Sequence, residues 1–244
     1  PQLYSKSEVE LQDFLQDAKH LSLGEVDLES RIAELAEELN QDSARQVLAG
    51  LEALQHSADS ESFPAIGFSL AGKAHLLLKE FEKALQAFQT AHQADPQHPQ
   101  HILNLAAAFL TQKQLSKALD LMRPLYRRGI ESLDSEWRNP LLRNLSTAEH
   151  QSGRPRAALE LRYQWWKLDH DAVPLKQWML WIQAALVANT DELENLHQSA
   201  LVFLEDLHRD YPANLAVTEL LAERLESKGD YRKAALLYRE LLRK

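Results

Sequence analysis

Apolar residues recur along most of this chain at spacings of three and four, the period of a helix with one buried face. Ile32, Leu35, Ala36 and Leu39 form one such face, and Val47, Leu48, Leu51 and Leu54 form another, with Asp42 placed to cap it. Ahead of them, Ser7-Glu8-Val9-Glu10 has capping-box spacing and opens a stretch with Leu11, Phe14 and Leu15 on one side. From Ala65 onward the stripes come in pairs broken by short polar turns. Phe68, Ala71 and Gly72 precede Ala84, Phe88 and Ala91, and Pro96 follows as a helix stop. The pattern of paired helical stripes predicts an all-α chain.

The pairs repeat. About 34 residues on, Ile102, Leu105, Ala106 and Phe109 are followed by Leu115, Ala118 and Met122. A third pair reads Leu142, Leu145, Ser146, then Gly153, Ala158 and Trp165. The last reads Leu221, Ala222, Leu225, then Gly229-Asp230-Tyr231-Arg232-Lys233-Ala234 and Tyr238. Small residues at fixed places allow helices to cross closely, and large ones fill the gaps between pairs. Gly153 and Gly229 are expected to end first helices in the left-handed conformation. Between the third pair and the last, Trp178, Trp181, Ala184 and Ala185 precede Ala200, Leu204 and Leu207 out of step, predicting a second helix nearly a turn longer. The link Arg127 to Ser132 is also expected to exceed a standard turn.

This alanine–aromatic–alanine–proline pattern and its period resemble the tetratricopeptide repeat. The resemblance implies a right-handed superhelical solenoid of antiparallel helix pairs over residues 64–244, with units near 65–98, 99–132, 139–172, 175–212 and 215–244. Residues 1–60 fit the motif poorly. They are expected to form a divergent helical region that caps the stack, with an acidic dimerisation arm as the alternative.

Composition supports this reading. Leucine (46) and alanine (31), both strong helix formers, supply nearly a third of 244 residues. Cysteine is absent, which excludes disulfides, thiolate metal sites and a cysteine nucleophile. The net charge of −9 is uneven, for residues 1–63 hold 14 acidic and 4 basic residues while the rest is close to neutral. That balance speaks against nucleic acid as a partner, which requires a basic excess. No apolar run reaches membrane-span length. Compartment is left open, and the missing initiator methionine is consistent with a processed chain or an excised piece.

Catalytic motifs are missing: there is no phosphate loop, nucleophile elbow or His-Glu-x-x-His string. An enzyme is therefore not expected, and no cofactor is implied. His92, His98 and His101 have the donor chemistry for a metal, but a solvated loop accounts for them better. Asp169-His170-Asp171 reads as an inter-repeat turn, and all five tryptophans, from Trp137 to Trp181, read as mutual packing.

The resemblance implies that a peptide or helix of another protein binds in the concave groove lined by first helices. By register that groove presents Ile66, Ser69, Leu70 and Lys73, then Leu103, Asn104, Ala107, Leu110 and Thr111, then Arg143, Asn144, Thr147, His150 and Gln151. Asn104 and Asn144 hold the same position in successive units and can hydrogen-bond a peptide backbone. Ser69 and Lys73 depart from the residues of a co-chaperone carboxylate clamp, as do Pro140 and Asn144, so that mode is not expected. The groove grades from apolar to polar and basic, fitting a partner with apolar anchors followed by acidic or polar residues. The expected role is an adaptor, scaffold or assembly factor. Alternatives are a secretion-type chaperone holding an apolar client segment, or a regulatory domain of a larger enzyme. The acidic N-terminal region is further expected to be attracted to the basic stretch Lys117–Lys167, in cis over the groove or in trans in a homodimer.

Overall fold

The computed structural model describes residues 28–57, 63–187 and 193–243. The capping box at Ser7 and the stripe at Leu11 to Leu15 lie outside the described residues. Twelve α-helices and one 3-10 turn, Ile130–Ser132, are found among the described residues, with no strand. The first six helices are α1 (Leu28–Glu38), α2 (Ala44–Ser57), α3 (Ala65–Leu77), α4 (Phe81–Ala94), α5 (Pro99–Thr111) and α6 (Leu115–Arg127). The remaining six are α7 (Ser135–Gln151), α8 (Pro155–Leu168), α9 (Leu175–Val187), α10 (Leu193–Asp210), α11 (Leu215–Ser227) and α12 (Tyr231–Leu241). The chain divides into two compact units, the first ending at Leu121 and the second beginning at Met122, inside α6.

Helix pairing follows from one turn used four times. Lys79, Lys113, Gly153 and Gly229 all have φ between 57° and 87°, in the left-handed region. The next residue's N–H then reaches back five residues: Glu80 to His75, Gln114 to Phe109, Arg154 to Glu149 and Asp230 to Leu225, all at 2.9 Å. This closure satisfies the last carbonyls of one helix and reverses the chain into the next. Glycine meets the requirement without strain, whereas lysine brings its Cβ against its own backbone at a cost of roughly 1–2 kcal/mol. Lys113→Gly is therefore expected to raise stability by about 0.5–1 kcal/mol, the unfolded chain's added freedom offsetting part of the relief. Thermal unfolding of the variant checks this, and a lower melting temperature would contradict it.

In the first unit, α3 pairs with α4, α4 packs on α5, and α3 lies beside α5. Both α1 and α2 pack on α3. Their shared core joins Ile32, Val47, Leu51, Phe63 and Leu70, with Leu35, Leu54 and Phe68 at its edge. Helix α2 begins after Ser43, and Asp42 does not cap it. Instead Asn40 Oδ1 accepts from Asp42 N and Ser43 N at 2.9 and 3.1 Å, which shapes the turn. Gly72 lies under the ring of Phe88, where any Cβ would overlap it, so the α3–α4 crossing requires glycine.

In the second unit, α7 pairs with α8 and α11 with α12, while α10 packs on α8, α9 and α11. Helix α7 starts four residues before the expected Asn139. Asp134 O accepts from Arg138 N and Trp137 N, and Pro140 sits within the helix near its start. Helix α10 runs 18 residues, the longest described, in keeping with the late Ala200. The aromatic residues pack together. Trp166 and Trp178 are fully buried and stack at 6.1 Å, Trp165 stacks on Trp181 at 6.1 Å, and Tyr163 stacks on Phe203 at 4.1 Å. No described helix is long and apolar enough to cross a membrane.

Candidate functional site

The left-handed turns give a common register for the first helices α3, α5, α7 and α11. Ten residues before each turn residue stand Ser69, Leu103, Arg143 and Glu219, and six before stand Lys73, Ala107, Thr147 and Glu223. These positions share one helix face.

On the first unit, several of the expected groove residues belong to the core. Leu70 is buried against Ile32, Val47 and Leu51, so the N-terminal helices cover it. Leu103 is likewise buried, and Ser69 is fully enclosed. These three offer no surface to a ligand. Ile66 and Lys73 are exposed, while Asn104, Ala107 and Leu110 are half-buried and Thr111 is exposed.

Beneath this surface lies a polar contact between residues distant in sequence. Ser69 Oγ and His101 Nδ1 share a 2.7 Å hydrogen bond joining α3 to α5, and Asn104 Nδ2 stands 3.5 Å from the same hydroxyl. Burial pushes the His101 imidazole below the usual histidine range, helped by the nearby His98 and opposed by Asp95. The unfolded chain then binds a proton near pH 6.5 that the native ring resists. The neutral ring's contribution is complete above that pH and is lost as pH falls from there through the native value. Melting temperature is expected to drop between pH 7.5 and 5, and to drop less in His101→Gln. An unchanged slope in the variant would contradict this assignment. His92 is shifted in the same direction by burial. His98 Nδ1 accepts from Gln100 N at 3.2 Å and caps α5. Among the described residues, no three His, Asp or Glu side chains converge on a metal-binding geometry.

The second unit presents Arg143 and His150 exposed on α7, with Asn144 and Thr147 half-buried between them. Glu149 lies under this face with its side chain only 7% exposed, accepting from Arg123 Nη2 at 2.9 Å and pairing also with Arg154. On α9 the exposed residues include Leu180, Ala184 and Val187. On α11 they include Glu219, Glu223 and Glu226. The α9 residues were missed from sequence because the irregular fourth pair broke the register, and the expected groove positions stopped before α11. Their helical spacing of three, four and seven was the available signal.

The Asp169-His170-Asp171 string forms a turn. Asp169 accepts from Asn139 Nδ2 at 2.6 Å and from Ala172 N at 2.9 Å, and the Asn139 bond holds its carboxyl below the ordinary range. His170 lies on the Trp166 ring, 4.6 Å between centroids, with its Nδ1 hydrogen-bonded to Trp166 O. A shallow cleft of about 400 Å³ opens between α8 and α10, floored by Tyr163, Val202 and Phe203. Tyr163 donates to Asp206 there, and burial together with that bond pushes the phenol well above its usual range.

Successive hairpins closed by the same turn and stacked through alanines define a helical-hairpin repeat protein. Residues 75–126 match the family model described as tetratricopeptide repeat. Three solved structures share the fold. YrrB, titled a tetratricopeptide-repeat protein with an unusual peptide-binding site, is 16% identical over 79% of this chain and 90% of its own, with a TM-score of 0.51. A tetratricopeptide-repeat protein from Parabacteroides merdae is 12% identical over 88% and 78%, with a TM-score of 0.54. PilF from Pseudomonas aeruginosa is 16% identical over 88% and 90%, with a TM-score of 0.52. The chain thus has the tetratricopeptide-repeat fold, with the family's sequence model matched over residues 75–126. No curated protein sequence matches it.

Proposed function

We propose that this chain is a non-catalytic protein-interaction module, an adaptor or assembly factor that holds a peptide or helix of another protein on the faces of its first helices. The observation carrying this reading is the register itself. First helices bury one side in the core and hold out, at equivalent positions, residues that the core does not use. Lys73, Ala107 and Thr147 do so six residues before their turns, and the second unit adds Arg143 and His150. YrrB, which shares the fold, carries a peptide-binding site according to its title, in line with this use of the architecture. Half-buried Asn104 and Asn144 are suited to pair with a peptide backbone, and Ile66 and Leu110 to meet apolar anchors. Helices α1 and α2 serve as the cap over Leu70, the role assigned to the region ending near residue 60, and the repeat domain follows from residue 64.

Affinity capture from the source lysate, quantified by mass spectrometry, tests this. A variant carrying Ile66→Asp with Leu110→Asp, and another carrying Arg143→Glu with His150→Glu, are each expected to lose a specific partner at least about tenfold, the loss typical of interface anchors. Equal recovery by wild type and both variants would remove the first-helix faces from consideration.

A further inference from the structure

On the second unit, the first-helix faces differ in chemistry from one hairpin to the next. Helix α7 exposes Arg143 and His150, ten and three residues before its turn at Gly153. Helix α11 exposes Glu219 and Glu226 at the same two offsets from Gly229, with Glu223 between them. Arg143 and Glu219 thus carry opposite charge at equivalent positions, and His150 stands where α11 has Glu226. Between the two in chain order, α9 exposes Leu180 at 49% and Val187 at 83%, with Ala184 on the same stripe. Only one of its thirteen residues is charged, Lys176 in the first turn. The core does not consume this stripe, for α9 buries Trp178, Ile182, Ala185 and Leu186 on its other side.

We infer that the second unit recognises a partner segment with an acidic end, an apolar middle and a basic end, laid across α7, α9 and α11 in that order. The inference rests on the proposed binding role of the first helices and adds the partner's chemistry. Charge complementarity selects this occupant: Arg143 and His150 receive carboxylates, Glu219 and Glu223 receive lysine or arginine, and Leu180 and Val187 receive leucine-like side chains. Glu226 is partly committed, since its carboxylate accepts from Tyr238 Oη at 2.8 Å. The probe is a segment of about twelve residues with its charges in terminal blocks and leucines between them. Exposed pairs are individually weak and screened by salt, so the recognition gives order and specificity more than raw affinity.

Fluorescence anisotropy with two synthetic peptides tests this on the full chain. One carries glutamates, then leucines, then lysines, and the other has the same composition with both charges interleaved at each end. The block peptide is expected to bind at least about tenfold tighter at low salt, with the gap closing near 0.5 M. Glu219→Lys with Glu223→Lys is expected to lose that preference and to gain binding to a third peptide that is acidic at both ends. That gain would also show the variant to be folded. Equal binding of block and interleaved peptides, both abolished by Leu180→Asp, would overturn the charge order while leaving the first-helix face as the binding surface. No binding by any of the three peptides would overturn it as well.

Discussion

Trp166→Ala is expected to destabilise the protein by about 3–5 kcal/mol, the range for removing a fully buried large aromatic side chain. Trp166 is fully buried, stacks on Trp178 and borders Tyr163, His170 and Tyr211, so one truncation opens a void among four rings. The neighbours belong to α8, α9 and their connecting turn, and to the end of α10, and such a set relaxes poorly around a hole. Lys167, whose ammonium lies 5.3 Å from the Trp166 ring, also loses its aromatic partner. For a unit of this size the melting temperature should fall by roughly 10 °C or more. Differential scanning calorimetry checks this, and a shift under about 2 °C would mean that the cluster does not hold the second unit together.

Glu149→Ala is the second large effect, expected at about 2–3 kcal/mol. A buried carboxylate with two arginine partners is costly to disrupt, because guanidinium groups oriented toward it are left without a counter-charge. The figure lies below the 3–5 kcal/mol range for breaking a fully buried pair because Arg123 and Arg154 are 38% and 41% exposed and can turn toward water. Glu149 also stands at the closing turn, where its carbonyl accepts from Arg154 N. The same side chain thus ties α6, α7 and the start of α8 together. Glu149→Gln keeps the shape and is expected to cost less than Glu149→Ala. Arg156→Ala, which removes only the exposed pair with Glu160, should cost under about 1 kcal/mol. Urea denaturation of the three variants ranks them, and an Arg156→Ala effect equal to that of Glu149→Ala would contradict the assignment.

Features set by local chemistry were legible in the sequence. Gly153 and Gly229 mark turns needing a left-handed residue, and both adopt it. Lys79 and Lys113 occupy the same conformation without a sequence signal, because tertiary pairing of α3 with α4 and the packing around α5 override a local preference of only one or two kcal/mol. The late Ala200 anticipated the long α10. What the register alone did not convey is which face residues remain open once neighbours pack. Leu70 disappears under α1 and α2, which the repeat motif does not encode, and Leu103 and Ser69 are enclosed where α3 and α5 meet. The Ser69–His101 bond joins residues 32 apart, a pairing that periodicity cannot show. Conversely, Leu180 and Val187 are exposed on α9, where the irregular fourth pair concealed them.

The central claim is that partners bind on the first-helix faces, and site-specific photocrosslinking tests it most directly. A photoreactive residue is placed at Lys73 and at Thr147 on those faces, and at Val202 beside the cleft between second helices, followed by irradiation in source lysate. The account predicts one and the same protein crosslinked from Lys73 or Thr147 and not from Val202. Crosslinking of that protein from Val202 alone would contradict it.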